Sequence, residues 1–320
     1  MASVSWKRWS VPTRQIAPVA LVLALTIAGF IGARALGERD ARRESEHRAD
    51  VAAAQIRGRI EQGASLADGL RRYMVGAGGR GVTDKGFAAN TARWLSPAGF
   101  PAAAWVEQVP ASRRATYEER IGRSIVEQGR GGGTAPAGSR STYLPATLVS
   151  GIPPMTVPGI DLGRESGVTA AARRASTLYD AGATPLATRR DGTRGLFLVR
   201  LSPRLVEGVV QPGFVVVFLS ELWLRGAATD TATLQLTTGG AAAREPDGAT
   251  TVRRSFREAG ERFDVVVPRS SVHGAAAVLP WIILAGGLIL AALAGALGVN
   301  AARRARAQED LDASSPSPPI

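Results

Sequence analysis

Residues 274–302 read GAAAVLPWIILAGGLILAALAGALGVNAA and contain no charged side chain. A helix of about 20 apolar residues spans the hydrocarbon core of a bilayer, so this stretch is long enough to cross a membrane. A second uncharged stretch, QIAPVALVLALTIAGFIGA, occupies residues 15–33 and is just long enough. The two segments predict a chain whose central part lies between two transmembrane helices.

The basic residues outside the apolar segments predict the orientation of the chain. Lys7, Arg8 and Arg14 precede the first segment, and RRAR at 303–306 follows the second. Because cytoplasmic flanks carry an excess of Lys and Arg, both ends are expected in the cytoplasm. The protein is therefore predicted to cross the inner or plasma membrane twice, with residues 37–275 outside the cytoplasm.

These boundaries divide the chain into six predicted parts. They are a cytoplasmic N-terminus (1–14), a first transmembrane helix (15–36), a stalk helix (37–76), an extracytoplasmic domain (77–275), a second transmembrane helix (276–300) and a short basic cytoplasmic tail (301–320). One alternative is a cleaved signal peptide, since ARA at 33–35 has the small-x-small pattern of a cleavage site. The central region is exported in either case.

The composition argues against several classes of site. The chain of 320 residues has no cysteine, which excludes disulfides, iron–sulfur clusters and thiol nucleophiles. Its two histidines, His47 and His273, are far apart, so no metal site is expected. The net charge of +12 comes from scattered arginines, and nucleic-acid binding is not expected. Because hydrolase, metalloprotease and P-loop motifs are lacking, the protein is predicted to be no enzyme and to need no cofactor.

The central region predicts a mixture of helices and strands. Apolar residues at helical spacing between 37 and 74 predict a stalk helix that either packs on its own domain or forms a dimer. Further on, the pattern predicts strands at 100–109, 142–152, 192–205 and 211–224, followed by three short final strands. It predicts helices at about 86–95, 110–125 and 167–181. The segment 127–141 is predicted to be a flexible insertion. The fold class expected is α+β, with a mostly antiparallel sheet and room for two sheets in tandem.

Five stretches of this region occur in a recognisable order. They are FPAAAWVEQVPASRRATYEE (100–119), YLPATLVSG (143–151), GIDLGRE (159–165), GATPLATRRDGTRGLFLVRLSPRL (182–205) and GFVVVFLSELWL (213–224). With the two flanking apolar segments, the arrangement resembles a CHASE domain, the extracytoplasmic sensory module of histidine kinases, nucleotide cyclases and plant cytokinin receptors. The resemblance covers roughly residues 38–300. It implies two tandem PAS-like subdomains, a small-molecule ligand in the membrane-distal one, and a homodimer.

The resemblance also points to ligand-binding residues. Thr188 matches a Thr or Ser that family members place near the pocket, and Trp105, Tyr143 and Phe197 are strand aromatics that either line a pocket or belong to the core. Asp161 lies at a turn before a helix. Its carboxylate either contacts the ligand or accepts backbone N–H bonds at the helix start, whereas the nearby Glu165 is expected to be solvated.

Residues 141–160, where cytokinin-binding members have an acidic pocket residue, contain no carboxylate. An adenine-type ligand held by a carboxylate is therefore not expected.

The predicted function is that of a membrane-anchored sensory protein. It would bind an extracytoplasmic small molecule and relay the signal across the membrane. The 18 residues after Ala302 are too few for a kinase or cyclase domain, so the output protein, a kinase or cyclase, is expected to act in trans. Two alternatives stay open: a truncated sensory half of a histidine kinase or cyclase, and a membrane-tethered envelope scaffold that binds another protein.

Overall fold

The computed structural model describes the residues 13–77, 82–98, 102–129, 133–151, 157–178, 180–189, 192–206, 209–226, 235–238, 251–269 and 275–314. The chain divides into two units. One unit is Glu46–Pro268, and the other consists of Met1–Ser45 together with Arg269–Ile320. His273 and the proline pair at 153–154 lie outside the described residues.

Six α-helices occur in the described residues. They are α1 (Thr13–Gly76), α2 (Asp84–Ala98), α3 (Arg114–Ile121), α4 (Val168–Leu178), α5 (Glu221–Arg225) and α6 (Ala275–Ser314). α1 continues without a break from the first apolar segment to Gly76, and α6 contains most of the second apolar segment. Both helices are long and apolar enough to cross a membrane, with mean hydropathy reaching 2.1 in α1 and 2.5 in α6.

Fifteen short strands occur in the same described ranges. They are β1 (Ala102–Glu107), β2 (Val109–Pro110), β3 (Val126–Gln128), β4 (Thr134–Pro136), β5 (Thr142–Tyr143), β6 (Ala146–Gly151), β7 (Gly182–Ala183), β8 (Ala187–Thr188), β9 (Arg194–Leu201), β10 (Arg204–Val206), β11 (Val209–Gln211), β12 (Gly213–Ser220), β13 (Gln235–Thr238), β14 (Thr251–Glu258) and β15 (Glu261–Pro268). The expected mixed fold class with two long apolar helices is confirmed.

The larger sheet is antiparallel and has the order β6-β1-β12-β9-β7, with β8 also paired to β9. Its central strands are apolar on both faces because both faces are covered. Since side chains alternate across a strand, Trp105 and Val215 belong to one face, and Ala104 and Val216 to the other.

The stalk part of α1 covers the first of these faces. Ile56, Ile60 and Leu70 of α1 are buried in one core cluster with Trp105 and its neighbours. At Gly63 an added Cβ would lie 2.9 Å from the Leu198 and Leu219 side chains, so the missing side chain allows the helix to approach the sheet closely. This segment of α1 therefore packs on its own domain, and the homodimer stays a prediction.

The smaller sheet has the order β13-β15-β14 and joins the same core through Leu236, Phe263 and Val265. Ion pairs also connect it to α1. Arg57 Nε lies 3.2 Å from Glu258 Oε2, and Arg254 pairs with Asp50.

The second face of the larger sheet is covered by α4 and the segment before it. Val168, Ala171 and Ala172 of α4 pack with Phe197 and Phe218 of the sheet.

Three local predictions were wrong. The segment 127–141, expected as a flexible insertion, contributes to the β3–β4 pair, in which Val126 lies opposite Pro136. The predicted helix 110–125 is a short 3-10 turn followed by α3, which ends at Gly122 with φ +67°. The strand expected at 211–224 stops at Ser220, whose Oγ accepts a hydrogen bond from the Trp223 N–H and begins α5.

Candidate functional site

A cavity of about 190 Å³ opens on the α4 side of the larger sheet. Its wall consists of Arg164, Glu165, Ser166, Thr184, Pro185, Ala187, Thr188, Arg189, Gly195 and Phe197. Two of the five residues expected to bind a ligand, Thr188 and Phe197, are among them. We call this space the Arg189 cavity after its most buried charged residue.

The segment before α4 is held against β7 and β8 by its backbone geometry. A 3-10 turn at Leu162–Arg164 leads into Glu165 and Ser166, and Gly167 then takes φ +78°. An added Cβ at Gly167 would lie 2.7 Å from Pro185 Cδ. Glycine at this position therefore allows the segment carrying Glu165 to lie directly against the opposite wall of the cavity.

Arg189 supplies a buried cation. Its side chain is 2% exposed, and its guanidinium carbon lies 4.9 Å from the Phe218 ring centroid and 5.4 Å from that of Phe197. Its Nη2 lies 3.7 Å from Glu165 Oε1, which is longer than the roughly 2.7–2.9 Å of a tight charge-assisted hydrogen bond. Cation–π contacts with these two aromatic rings stabilise the buried cation.

Thr184 connects the wall of the cavity to the sheet by hydrogen bonds. Its Oγ1 accepts a hydrogen bond from the Phe197 N–H at 2.9 Å and donates to the Pro185 carbonyl at 3.1 Å. The opposite rim is more open, because Thr188 is exposed and the Arg164 side chain is 52% exposed. The cavity thus has a fixed floor and a polar, accessible rim.

A second cavity of about 410 Å³ lies between the outer flank of α4 and the strands β5 and β12. Its wall consists of Gln108, Thr142, Leu144, Thr169, Ala172, Arg173, Ser176, Thr177 and Phe214. The only charged residue of this wall, Arg173, is exposed. The larger cavity therefore has no buried charge with which to select a ligand.

Trp105 lies on the other face of the sheet, against α1. It is fully buried, and its Nε1–H donates to the Ser202 carbonyl oxygen at 2.9 Å. The Arg204 guanidinium carbon lies 5.5 Å from the indole ring. Trp105 belongs to the core and to neither cavity wall.

Tyr143 belongs to a small separate core with Val109, Tyr117 and Ile125. Its hydroxyl donates to the Gly138 carbonyl at 3.1 Å and accepts from the Arg140 backbone N–H at 3.1 Å. The phenol thus binds the chain segment before β5, and neither cavity wall contains it.

The Asp161 carboxylate binds backbone N–H groups of the protein itself. Its Oδ1 accepts hydrogen bonds from the Leu144 N–H at 2.8 Å and the Gly163 N–H at 2.9 Å. Its Oδ2 lies 2.9 Å from Arg140 Nη1, and the side chain has no exposed surface. The carboxylate therefore caps the turn, as one of its two sequence-based interpretations expects.

The ligand-binding role of all five residues stays a prediction. The sequence identifies neither Arg189 nor Glu165 as a member of the cavity wall. Glu165, expected to be solvated, has a side chain that is only 11% exposed. No motif distinguishes Arg189 from Arg190 beside it. The one available signal is its position directly after Thr188.

No family model matches the chain, and no curated protein matches it. Several solved structures are similar to it, among them the following two. A methyl-accepting chemotaxis protein X is 16% identical, with a TM-score of 0.39 over 73% of this chain and 98% of its own. The extracellular domain of the putative histidine kinase mmHK1S-Z2 is 11% identical, with a TM-score of 0.37 over 73% of this chain and 97% of its own. The resemblance to CHASE domains stays a prediction.

Proposed function

We propose that this protein is a membrane-anchored sensory protein. Its extracytoplasmic domain binds a small molecule in the Arg189 cavity and relays the event across the membrane to a separate kinase or cyclase. One observation carries the proposal: a cavity with a buried cation lies in a domain that continues at both ends into helices able to cross a membrane. Such concave sites with a few convergent polar groups are where small ligands bind.

The larger sheet supports the PAS-like part of the proposal. Its principal strands β1, β6, β7, β9 and β12 pair antiparallel throughout, which is the type of sheet expected for the PAS-like subdomains. The chain between the second and third of these strands forms α4, which covers one face. We assign this sheet to the ligand-binding subdomain and the three-stranded sheet to the second one.

The contacts of the cavity wall suggest how a ligand would act on the rest of the domain. Thr184 of the wall directly follows Ala183, whose N–H donates to the Ala259 carbonyl at 2.8 Å. Arg174 of α4 donates to the Ala183 carbonyl and pairs with Glu261 at 2.8 Å. Through these contacts, a displacement of the cavity wall at Thr184 would also displace the turn between β14 and β15.

From this turn, two connections lead toward the membrane. Glu258 at the end of β14 pairs with Arg57 of the stalk helix α1. β15 ends at Pro268, and α6 begins at Ala275. The hairpin is thus linked to the stalk part of α1 by an ion pair and to α6 by the chain itself.

In the proposed topology both ends of the chain are cytoplasmic, following the basic flanks of the two apolar segments.

To produce a signal, the ligand must bind one conformational state of the domain better than the other, because a ligand with equal affinity for both states does not change their populations. A nearly complete switch needs about 5.5 kcal/mol of differential binding.

The proposal is tested on the full-length protein in lipid nanodiscs. Its thermal unfolding is measured with defined carboxylates, amines, sugars and nucleosides. A ligand at 100 times its Kd stabilises the folded state by about 2.7 kcal/mol, which gives a clear rise in Tm.

A matched pair of variants locates the ligand. Thr188→Val alters the rim of the Arg189 cavity, and Thr169→Val alters the wall of the larger cavity; both threonines are exposed. We expect the ligand response to weaken in Thr188→Val and to persist in Thr169→Val. A folded protein that responds to none of these compounds would contradict the proposal and favour the scaffold alternative.

A further inference from the structure

We infer that the Arg189 cavity binds a compact carboxylate, an anionic head on a short apolar body. This inference rests on the proposed function, because it names the ligand class of the same cavity. It depends on three features of the wall: a buried guanidinium, an acidic neighbour that forms an ion pair with it at 3.7 Å, and an apolar side.

The guanidinium of Arg189 is the first feature. A planar guanidinium presents paired N–H donors in a fork that matches the two oxygens of a carboxylate. The Phe197 and Phe218 ring centroids lie 5.4 Å and 4.9 Å from the guanidinium carbon, and the side chain is almost fully removed from water. Because attraction between opposite charges is stronger away from bulk water, the cavity favours an anion over a neutral molecule of the same shape.

The distance between Arg189 and Glu165 is the second feature. At 3.7 Å the Nη2–Oε1 distance is outside hydrogen-bonding range, so the two groups form an ion pair without a hydrogen bond between these atoms. A ligand carboxylate can take the place of Glu165 before the guanidinium fork. With Arg164 at the rim, the wall has two cationic side chains and one anionic side chain.

The apolar side of the wall is the third feature. Phe197, Pro185 and Ala187 line the cavity beside the cation. A volume of about 190 Å³ accommodates a molecule of several heavy atoms. A short-chain carboxylate fits both the charge and the apolar surface, whereas inorganic phosphate has no apolar part to bury.

The test is isothermal titration of the full-length protein in nanodiscs. The probes are propionate, lactate and pyruvate, their neutral counterparts propionamide and lactamide, and inorganic phosphate. We expect at least one carboxylate to bind about tenfold or more tightly than its amide, since a hydrogen bond to a charged group contributes about 1.5–3 kcal/mol. Equal binding of acid and amide, or binding of phosphate alone, would overturn the inference.

Two substitutions should change the affinity in opposite directions. Arg189→Gln removes the cation and should weaken carboxylate binding about tenfold or more. Glu165→Gln removes the competing carboxylate and should tighten binding a few-fold. Arg113→Gln changes an exposed arginine outside the cavity wall and should leave the affinity unchanged. If Arg189→Gln does not fold, Glu165→Gln decides, and unchanged or weaker binding in that variant contradicts the inference.

The outcomes separate the ligand class from the proposed function. If a neutral or cationic metabolite binds and its binding weakens in Thr188→Val, while carboxylates do not bind, the inference fails and the sensory proposal stands. If none of the defined compounds binds, both fail.

Discussion

The Asp161 carboxylate lies 2.9 Å from the Arg140 guanidinium and has no exposed surface. Its other oxygen accepts two backbone N–H bonds, from Leu144 and Gly163. A buried carboxylate with these three partners stabilises the turn that leads into the Arg189 cavity. Asp161 therefore acts on the cavity through the backbone, which gives a prediction different from that of a direct ligand contact.

Replacement of Asp161 by Ala should lower the free energy of unfolding by about 2–4 kcal/mol, because it leaves the Leu144 and Gly163 N–H groups without their acceptor and removes one of the two acidic partners of Arg140. Asp161→Asn keeps the acceptor Oδ1 and should cost less. Thermal unfolding of the full-length protein followed by circular dichroism measures both effects. Asp180→Ala is the control, since this aspartate is 75% exposed in its pair with Arg200 and should cost at most about 1 kcal/mol. Equal costs for Asp161→Ala and Asp180→Ala would contradict the assigned role.

The Glu118 carboxylate should make stability depend on pH in the acid range. The hydrogen bond from the Ile125 N–H lowers the pKa of Glu118 below its ordinary value of 4.5; partial burial opposes this shift, and Arg114 adds to the lowering. A lowered folded-state pKa gives stability that is present above pH 4.5 and is lost as the pH falls through the folded-state pKa. Tm measured between neutral pH and pH 3 should therefore fall less steeply below pH 4.5 in Glu118→Gln than in the unmodified protein. Parallel curves for the two proteins would show that Glu118 contributes nothing to the acid sensitivity.

Trp105→Phe should destabilise the protein and leave ligand binding unchanged. The substitution removes the indole N–H and leaves the buried Ser202 carbonyl without this donor, at a cost of about 1–3 kcal/mol. Because Trp105 packs against α1 and not in the cavity wall, ligand affinity in titration should stay within about twofold. A loss of affinity larger than the change caused by Arg113→Gln would place Trp105 in the ligand site, as the resemblance implies.

Two glycine-to-alanine changes should have opposite effects. At Gly213 an added Cβ would lie 2.5 Å from Trp105 Cζ2, so Gly213→Ala should cost about 1–3 kcal/mol through overpacking. Gly58 is exposed in the middle of α1 with no atom within 4 Å of an added Cβ. Gly58→Ala should therefore stabilise the protein by about 0.5–1 kcal/mol. Tm values of the two variants in nanodiscs check the signs, and a stabilised Gly213→Ala would contradict the packing of β12 on Trp105.

The sequence predicts the elements whose apolar periodicity is long or regular. These include α1, α6, the strand β9 and the three strands of the smaller sheet. It does not predict α5, because the apolar run after Ser220 has no period that distinguishes a strand from a short helix. The helix starts there because the Ser220 hydroxyl accepts the hydrogen bond from the Trp223 N–H. The β3–β4 pair was missed because its Gly- and Pro-rich composition is typical of a loop.

The candidate site was predicted only in part for a similar reason. Thr188 and Phe197 belong to strands that the pattern identifies, and both line the cavity. Glu165 and Arg189 come together where Gly167 lets the segment before α4 lie against Pro185. Contacts between residues so far apart in the chain follow from tertiary packing, which no local pattern encodes.

Arg174 should be needed for the relay and not for ligand binding. It connects α4 to the β14–β15 hairpin through Glu261 and the Ala183 carbonyl, and it is absent from the wall of the Arg189 cavity. Arg174→Gln should therefore bind the ligand with nearly unchanged affinity while reducing the effect of the ligand on α1 and α6.

Spin labels can measure this effect cleanly because the chain has no native cysteine. Cysteines introduced at Arg39 of α1 and Ala301 of α6, both exposed, carry the labels. We expect the distance distribution between the labels to change when the ligand saturates the unmodified protein, and to change less in Arg174→Gln. Arg173→Gln on the exposed side of the same helix is the matched control and should respond like the unmodified protein. A full response in Arg174→Gln would remove the hairpin contact from the relay, because coupling between the sites would then follow another route.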